Sequence, residues 1–227
     1  MKDIVIAIDG NSGCGKSSTA KVLAQKLKYI YIDTGAMYRA VTLFFIKHKI
    51  DLKNDKDVEE ALKQIDISFQ YNIDTGKNET YLNRKNVENE IRQMEVSNLV
   101  SPVSEISKVR RKLVEQQRRL GEGRGVVMDG RDIGTVVFPN AELKIFMTAD
   151  LEVRAQRRQL ELKEKGIHVA LEDVIENLKN RDAIDSSRAD SPLKKAEDAH
   201  IVDTSNITFD EQVEQILTLI NEVIYAK

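Results

Sequence analysis

Nine residues, Gly10-Asn11-Ser12-Gly13-Cys14-Gly15-Lys16-Ser17-Ser18, gather small side chains around one lysine and end in two hydroxyls. The first eight fit the spacing G-x-x-x-x-G-K-[ST]. Glycines let successive backbone N–H groups converge on one anion without Cβ clashes, and a helix starting there adds the positive end of its dipole. The chemistry this predicts is binding of a nucleoside triphosphate. Lys16 reaches the β and γ oxygens, and the Ser17 hydroxyl is a candidate Mg²⁺ ligand. Cys14 reads as a small residue tolerated in the loop, since no nearby histidine is evident to activate a thiol.

A phosphate donor needs an acceptor, and three further stretches offer charges for one. Asp33-Thr34-Gly35-Ala36-Met37-Tyr38-Arg39 supplies Thr34 and Arg39. Asp129-Gly130-Arg131-Asp132 supplies Arg131 and Asp132, although the same four residues also suit an ordinary β-turn. In NRDAIDSSR, Arg181, Asp185 and Arg188 share one stripe if a helix persists there. They could form a plain i,i+4 ion pair with a spare arginine, or hold a sugar hydroxyl beside a phosphate. Arg154, Arg157 and Arg158 cluster on one helical face, which suits a lid closing over transferring phosphates. Pairing with Glu152, Glu161 and Glu164 is the plainer alternative.

The elements that must position these residues follow from hydropathy. Ile4 to Ile8 is continuously apolar, as a strand buried on both faces of a parallel sheet requires. Ala20, Leu23, Ala24 and Leu27 mark one face of a helix after the loop. Tyr29 to Ile32, Val126 to Met128, Leu143 to Met147 and His200 to Val202 are further short strands. Helices are expected from about Pro102 to Leu120, Leu151 to Lys165 and Phe209 to Tyr225. The strand–helix–strand alternation predicts an α/β fold with a parallel sheet of about five strands. Ligands of such sheets bind at the carboxyl ends of the strands. From about Ile65 to Asn86 the pattern alternates polar and apolar, with Asp74-Thr75-Gly76 as a turn, predicting a small antiparallel insertion.

The 227 residues suit one domain with a sizeable core. We expect core segments at 1–34, 121–150 and 199–227, an acceptor region at about 35–120 and a helical lid at about 151–190. Lys+Arg of 35 against Asp+Glu of 37 argues against a nucleic-acid polymer or an anionic membrane as partner. A single cysteine fits a reducing compartment. No run resembles a signal peptide or approaches a membrane span, so a cytoplasmic location is expected. No heptad repeat is evident, and a monomer is expected. A guanine-specific Asn-Lys-x-Asp motif is absent, which disfavours a GTPase.

The set GNSGCGKSS, DTGAMYR, EIRQMEVSNLVSPVS, VRRKL, MDGRDIGTVVFPNAELKIFMTA, RAQRR and RDAIDSSR resembles the bacterial-type cytidylate kinases, P-loop nucleoside monophosphate kinases. The likeness runs from Ile4 to Tyr225. DGRDIGTVVFP is its most diagnostic part, and the alternating insertion resembles the extra antiparallel segment of those enzymes. Asn11 and Cys14 stand where relatives often have proline and alanine, and Ser17 where some have glycine.

The resemblance implies ATP-dependent phosphorylation of CMP and dCMP with Mg²⁺. It maps Ser101, Arg110 and Asp132 to the cytosine, and Arg39 and Arg131 to the CMP phosphate. Arg181, Asp185 and Arg188 fall around ribose and phosphate, with Thr34 lining the same pocket. Gly10 to Ser18 and Arg157 fall to ATP, with Lys16, Arg131, Arg154 and Arg158 as catalytic groups. Read without the resemblance, Ser101 before Pro102 is equally a helix N-cap with proline in the first turn. The acceptor phosphate is already an oxyanion, so no general base is required. His48, His168 and His200 accordingly read as surface or packing residues. The alternatives are another small-molecule kinase, such as a uridylate kinase, or a regulatory protein that binds ATP without transferring phosphate.

Overall fold

The computed structural model describes residues 3–73, 77–123, 125–164 and 166–225. The expected turn at Asp74-Thr75-Gly76 and the expected helix end at Lys165 lie outside the described residues. The chain divides into two compact units, Met1–Ile32 with Leu120–Lys227, and Asp33–Arg119.

In the first unit, β1 (Val5–Gly10) is followed by α1 (Lys16–Leu27) and β2 (Ile30–Asp33). After the second unit the chain returns as β6 (Val126–Gly130), β7 (Leu143–Thr148), α6 (Leu151–Glu164), α7 (Leu171–Ser187), β8 (His200–Asp203) and α8 (Phe209–Tyr225). The strands form one sheet in the order β2-β6-β1-β7-β8. β1 pairs in parallel with β6 (Ile8 opposite Asp129) and with β7 (Gly10 opposite Met147). All five strands expected from sequence are present. Isoleucines 4, 6 and 8, the first just before β1, share one face and are fully buried, and Ala7 and Asp9 on the opposite face are buried as well, so the strand is covered on both faces. Leu23 and Ala24 of α1 and Val213, Ile216 and Ile220 of α8 pack with the isoleucines into one core.

Two features of α1 place the phosphate loop. Gly15, the residue before the helix, has φ +91°, and Gly13 has φ +80°. Both values lie in the left-handed region where a Cβ is strained. At the other end Lys28 closes the helix in the same region, its N–H donating to the carbonyls of Ala24 and Gln25.

α6 and α7 share a small apolar seam of Ala155, Leu162, Val174 and Leu178. It is far smaller than the main core, so little buried apolar surface joins this pair.

The second unit begins with α2 (Thr34–Lys47) and α3 (Asp55–Lys63), then β3 (Ile67–Asn72), β4 (Lys77–Leu82), β5 (Lys85–Asn86), α4 (Met94–Glu105) and α5 (Ser107–Gly121). β3, β4 and β5 form the expected antiparallel insertion, with Ile67 opposite Leu82. The single helix expected from Pro102 to Leu120 is instead two. α4 begins eight residues before Pro102, and Ile106, at ψ 111°, breaks the path between the helices. Ser101 is therefore a helix-interior residue and not an N-cap. Pro102 has no N–H for the carbonyl of Asn98, but Asn98 lies on the exposed side, where water can take that bond.

Candidate active site

β1 and β6 run side by side, with Asp9 opposite Gly130, so the phosphate loop and Arg131-Asp132 leave adjacent strands at the same carboxyl edge. Within the loop, Lys16 is buried and its ammonium donates to the Asn11 carbonyl at 2.9 Å. Burial, with Arg131 nearby, pulls its pKa below the ordinary lysine value. Cys14 is fully buried within the main core, and its carbonyl accepts from Thr204 Oγ1 at 3.1 Å. Gly13 sits close against α6, where a Cβ would stand 3.2 Å from the Arg154 carbonyl oxygen, a tight contact added to the strain of its positive φ. Ser18 is exposed.

The Ser17 hydroxyl donates to Asp129 Oδ2 at 2.7 Å, and Tyr31 donates to Asp129 Oδ1 at 2.8 Å. Asp129 is buried at the end of β6. Sequence reasoning took DGRD for its last two residues and passed over this first one. A carboxylate closing an apolar strand beside a phosphate loop was the signal available. A hydroxyl and one carboxylate are hard oxygen donors, and such a pair fits Mg²⁺, which keeps waters and phosphate oxygens as its other ligands.

Arg131 Nε donates to Asp185 Oδ2 at 2.7 Å. Burial opposes its charge, but Asp185 outweighs that and holds the guanidinium pKa above its usual value. Burial likewise pushes Asp185 upward, yet Arg131, then Arg188 and Arg181, carry its carboxyl below the usual range. Arg188 stands 3.7 Å from Asp185 and 3.9 Å from Asp132, and Asp132 and Arg188 are both buried. Arg181 is close enough to act on the charges of both Lys16 and Asp185. The structure thus gathers Lys16, Arg131, Asp132, Arg181, Asp185 and Arg188 in one unit. α7 ends at Ser187, so Arg188 caps the stripe from just beyond the helix, its N–H still donating to Ile184 at 3.1 Å.

Two of the three α6 arginines are held by partners that their spacing does not show. Arg154 is buried and donates to the Ser12 carbonyl at 3.1 Å, the Ala149 carbonyl at 2.9 Å and Asp182 Oδ2 at 2.7 Å. Arg157 donates to Thr204 Oγ1 at 3.0 Å and to the Thr204 carbonyl at 2.6 Å. Only Arg158 follows the plainer alternative, pairing with Glu161 at 2.9 Å. Spacing found the common face but not Asp182 or Thr204, which arrive from other elements.

Asp9 is a further residue the motifs did not flag. It is buried, and its two oxygens accept from the Ile133 and Gly134 N–H groups at 2.8 and 2.7 Å. These donors belong to the π-helical turn Ile133–Val137 that follows Asp132. Burial drives the Asp9 carboxyl pKa up to about 7, the two N–H groups pulling the other way.

The second unit holds the remaining candidates. Asp33 caps α2, accepting from the Ala36 N–H at 2.8 Å, and its other oxygen accepts from Arg39 at 3.1 Å. Thr34 is buried in the first turn. Arg110 is almost fully buried, donating to the Ser104 carbonyl at 3.2 Å with its guanidinium 5.5 Å from the centre of the Tyr38 ring. Ser104 in turn donates to the Ser101 carbonyl at 2.7 Å, so Ser101 and Arg110 meet at one helix junction. His48 stacks on Phe44 at 4.1 Å, and His168 and His200 are exposed. Among the described residues no helix is long and apolar enough to cross a membrane.

Comparison with known proteins agrees with this construction. The sequence pattern of the family described as cytidylate kinase matches residues 6–222. The chain is 58% identical over 219 residues to the cytidylate kinase of Cytophaga hutchinsonii, covering 96% of this chain and 94% of that one. It is 55% identical over 227 residues to the cytidylate kinase of Flavobacterium johnsoniae, covering 99% of each. Among solved structures, an uncharacterized protein from Eubacterium ventriosum shares the fold, with a TM-score of 0.54 at 13% identity over 97% of this chain and 99% of that one. The pattern match spanning nearly all the chain and relatives above half identity lead to one conclusion: the chain belongs to the cytidylate kinase family.

Proposed function

We propose that the protein transfers the γ-phosphoryl group of ATP to CMP and dCMP, giving ADP with CDP or dCDP. The observation that carries this is the β1–β6 register, which sets the phosphate loop beside Asp129 and Arg131. Membership of the cytidylate kinase family supplies the acceptor. ATP is assigned to Gly10, Asn11, Ser12, Gly13, Cys14, Gly15, Lys16, Ser17 and Ser18, with Arg157. The resemblance to cytidylate kinases assigns the acceptor to Thr34, Arg39, Ser101, Arg110, Arg131, Asp132, Arg181, Asp185 and Arg188. Asp132 accepts from the cytosine amino group, and Ser101 and Arg110 donate to N3 and O2.

The acceptor phosphate carries its own nucleophilic oxygen, so the protein aligns and neutralises and removes no proton. The loop amides and Lys16 stabilise charge developing on the transferred group, and Arg131, Arg154 and Arg158 add positive charge as it moves. Before that, Lys16 must give up the Asn11 carbonyl and Arg131 must share its hold on Asp185. Ser17 and Asp129 would hold Mg²⁺, which when bound neutralises phosphate oxygens. α6 and α7 act as the lid that keeps water from the γ-phosphoryl group, their small seam allowing the movement. The protein works as a monomer in the cytoplasm.

ADP formation from ATP and Mg²⁺ with CMP, dCMP, UMP, AMP and GMP in separate reactions tests the assignment. Strong turnover with CMP and dCMP alone is the expected result. Equal turnover of UMP would discard the cytosine contacts, and ADP formation independent of any acceptor would discard the transfer reaction itself.

A further inference from the structure

We infer that α7 couples the donor and acceptor sites thermodynamically through Asp182, a positioning residue that acts by way of Arg154. The inference rests on the reading under Proposed function. α7 carries two carboxylates three residues apart, hence about 60° apart on one face. Asp185 grips Arg131 at 2.7 Å, on the side assigned to the acceptor. Asp182 grips Arg154 Nη1 at 2.7 Å, and the same nitrogen donates to the Ser12 carbonyl of the phosphate loop at 3.1 Å. One rigid helix therefore has one carboxylate tied to each site.

This is not a surface ion pair of little energetic weight. The Arg154 side chain is 8% exposed and the Asp182 side chain 19%. A charge-assisted bond so shielded resists competition from water. Asp182 also has capacity in reserve: its Oδ1 is buried and has no hydrogen-bond partner among the described residues. Leaving a buried carboxylate oxygen unused is costly. It is satisfied when Arg154 turns to present its second N–H, giving the two-pronged pairing that planar guanidinium and carboxylate groups form.

A triphosphate on the loop draws Arg154 inward, and Asp182 passes that ordering to α7. The helix then holds Asp185, and through it Arg131, in the arrangement the acceptor phosphate needs. Whichever ligand arrives first bears the cost of ordering α7, and the second binds to a helix already placed. By linkage the effect is reciprocal: the donor tightens the acceptor by the same factor as the acceptor tightens the donor.

Titration calorimetry on the intact protein with Mg²⁺ measures this directly. CMP binding is measured with and without saturating β,γ-imido-ATP, and the analogue with and without CMP. In the wild type each ligand tightens the other by at least about fivefold, the lower end of ordinary coupling. In D182N that factor falls to within about twofold of unity, while affinity for either ligand alone changes less than about threefold. E176Q, at an exposed position on the same helix, keeps the wild-type factor. D182E restores at least half of the lost coupling on a logarithmic scale, because it keeps the carboxylate. Should D182N fail to fold, Asp182→Ser takes its place with the same expectation. A wild-type factor of one, or an undiminished factor in D182N, overturns the inference while leaving the kinase reading intact. If neither ligand binds the wild type, the kinase reading fails first and the coupling with it.

Discussion

The phosphate loop and the α6–α7 pair hold their charges by opposite means. The loop uses backbone: Gly13 and Gly15 adopt positive φ, and Lys16 rests on a carbonyl within its own motif. The α6–α7 pair uses side chains reaching between elements, Arg154 to Asp182 and, from the loop after β6, Arg131 to Asp185. A backbone device is written in consecutive residues. A side-chain device depends on partners that the sequence places 28 and 54 residues away. The first is built rigid for any triphosphate, and the second can exchange partners as ligands arrive.

Substitution of Lys16 gives the largest expected effect and breaks the backbone side of this contrast. Lys16→Met should lower kcat by a factor on the order of 10² to 10³, the usual loss when one group stabilising transition-state charge is removed. Its thermal midpoint should stay level or rise, because a buried ammonium is replaced by an apolar chain of similar length. Calorimetric melting beside steady-state kinetics checks both. A large fall in midpoint would make Lys16 a structural residue rather than a catalytic one.

Arg131→Ala strikes the side-chain device. It should lower kcat/KM by roughly 10²-fold or more, since Arg131 is assigned to the acceptor phosphate and to the transferring charge. It should also destabilise the protein, because Asp185 is left buried without its principal cation. Arg118→Ala, at an exposed position on α5, should change turnover by less than about twofold. Equal small effects from the two substitutions would remove Arg131 from the site.

How much could be read from sequence follows the same division. The five parallel strands, the antiparallel insertion, α8 and the loop were legible, since each is carried by local hydropathy or by one contiguous motif. The break at Ile106 was not, because Pro102 imitates a helix start when the exposure of Asn98, four residues earlier, is unknown. Arg154, Arg157 and Arg158 could be placed on a common face. Their partners Asp182 and Thr204 could not be, as no local period connects α6 to α7 or to the end of β8. Asp9 and Asp129 went unnoticed for another reason: a carboxylate at a strand end reads as the edge of a turn until its neighbours are seen.

Asp9 offers the finest test, because backbone donors and burial compete over one group there. Two N–H groups favour the ionised carboxylate, while burial and the nearby Asp132 oppose it and Lys16 favours it. The folded pKa of about 7 stands above the ordinary 3.8, so burial prevails. The sign follows from proton counting. Between those two values the folded protein keeps a proton on Asp9 that the unfolded chain has released, so stability falls as pH rises through that window. Asp9→Asn removes the titration while leaving an oxygen to accept from one of the two N–H groups. Urea unfolding at pH 5, 6, 7 and 8 should therefore show the wild-type advantage over Asp9→Asn shrinking from pH 5 to about 7 and levelling beyond it. An advantage constant across that range would mean that the two N–H donors at 2.7 and 2.8 Å hold the carboxylate charged throughout. Backbone would then govern this corner of the site as completely as it governs the phosphate loop.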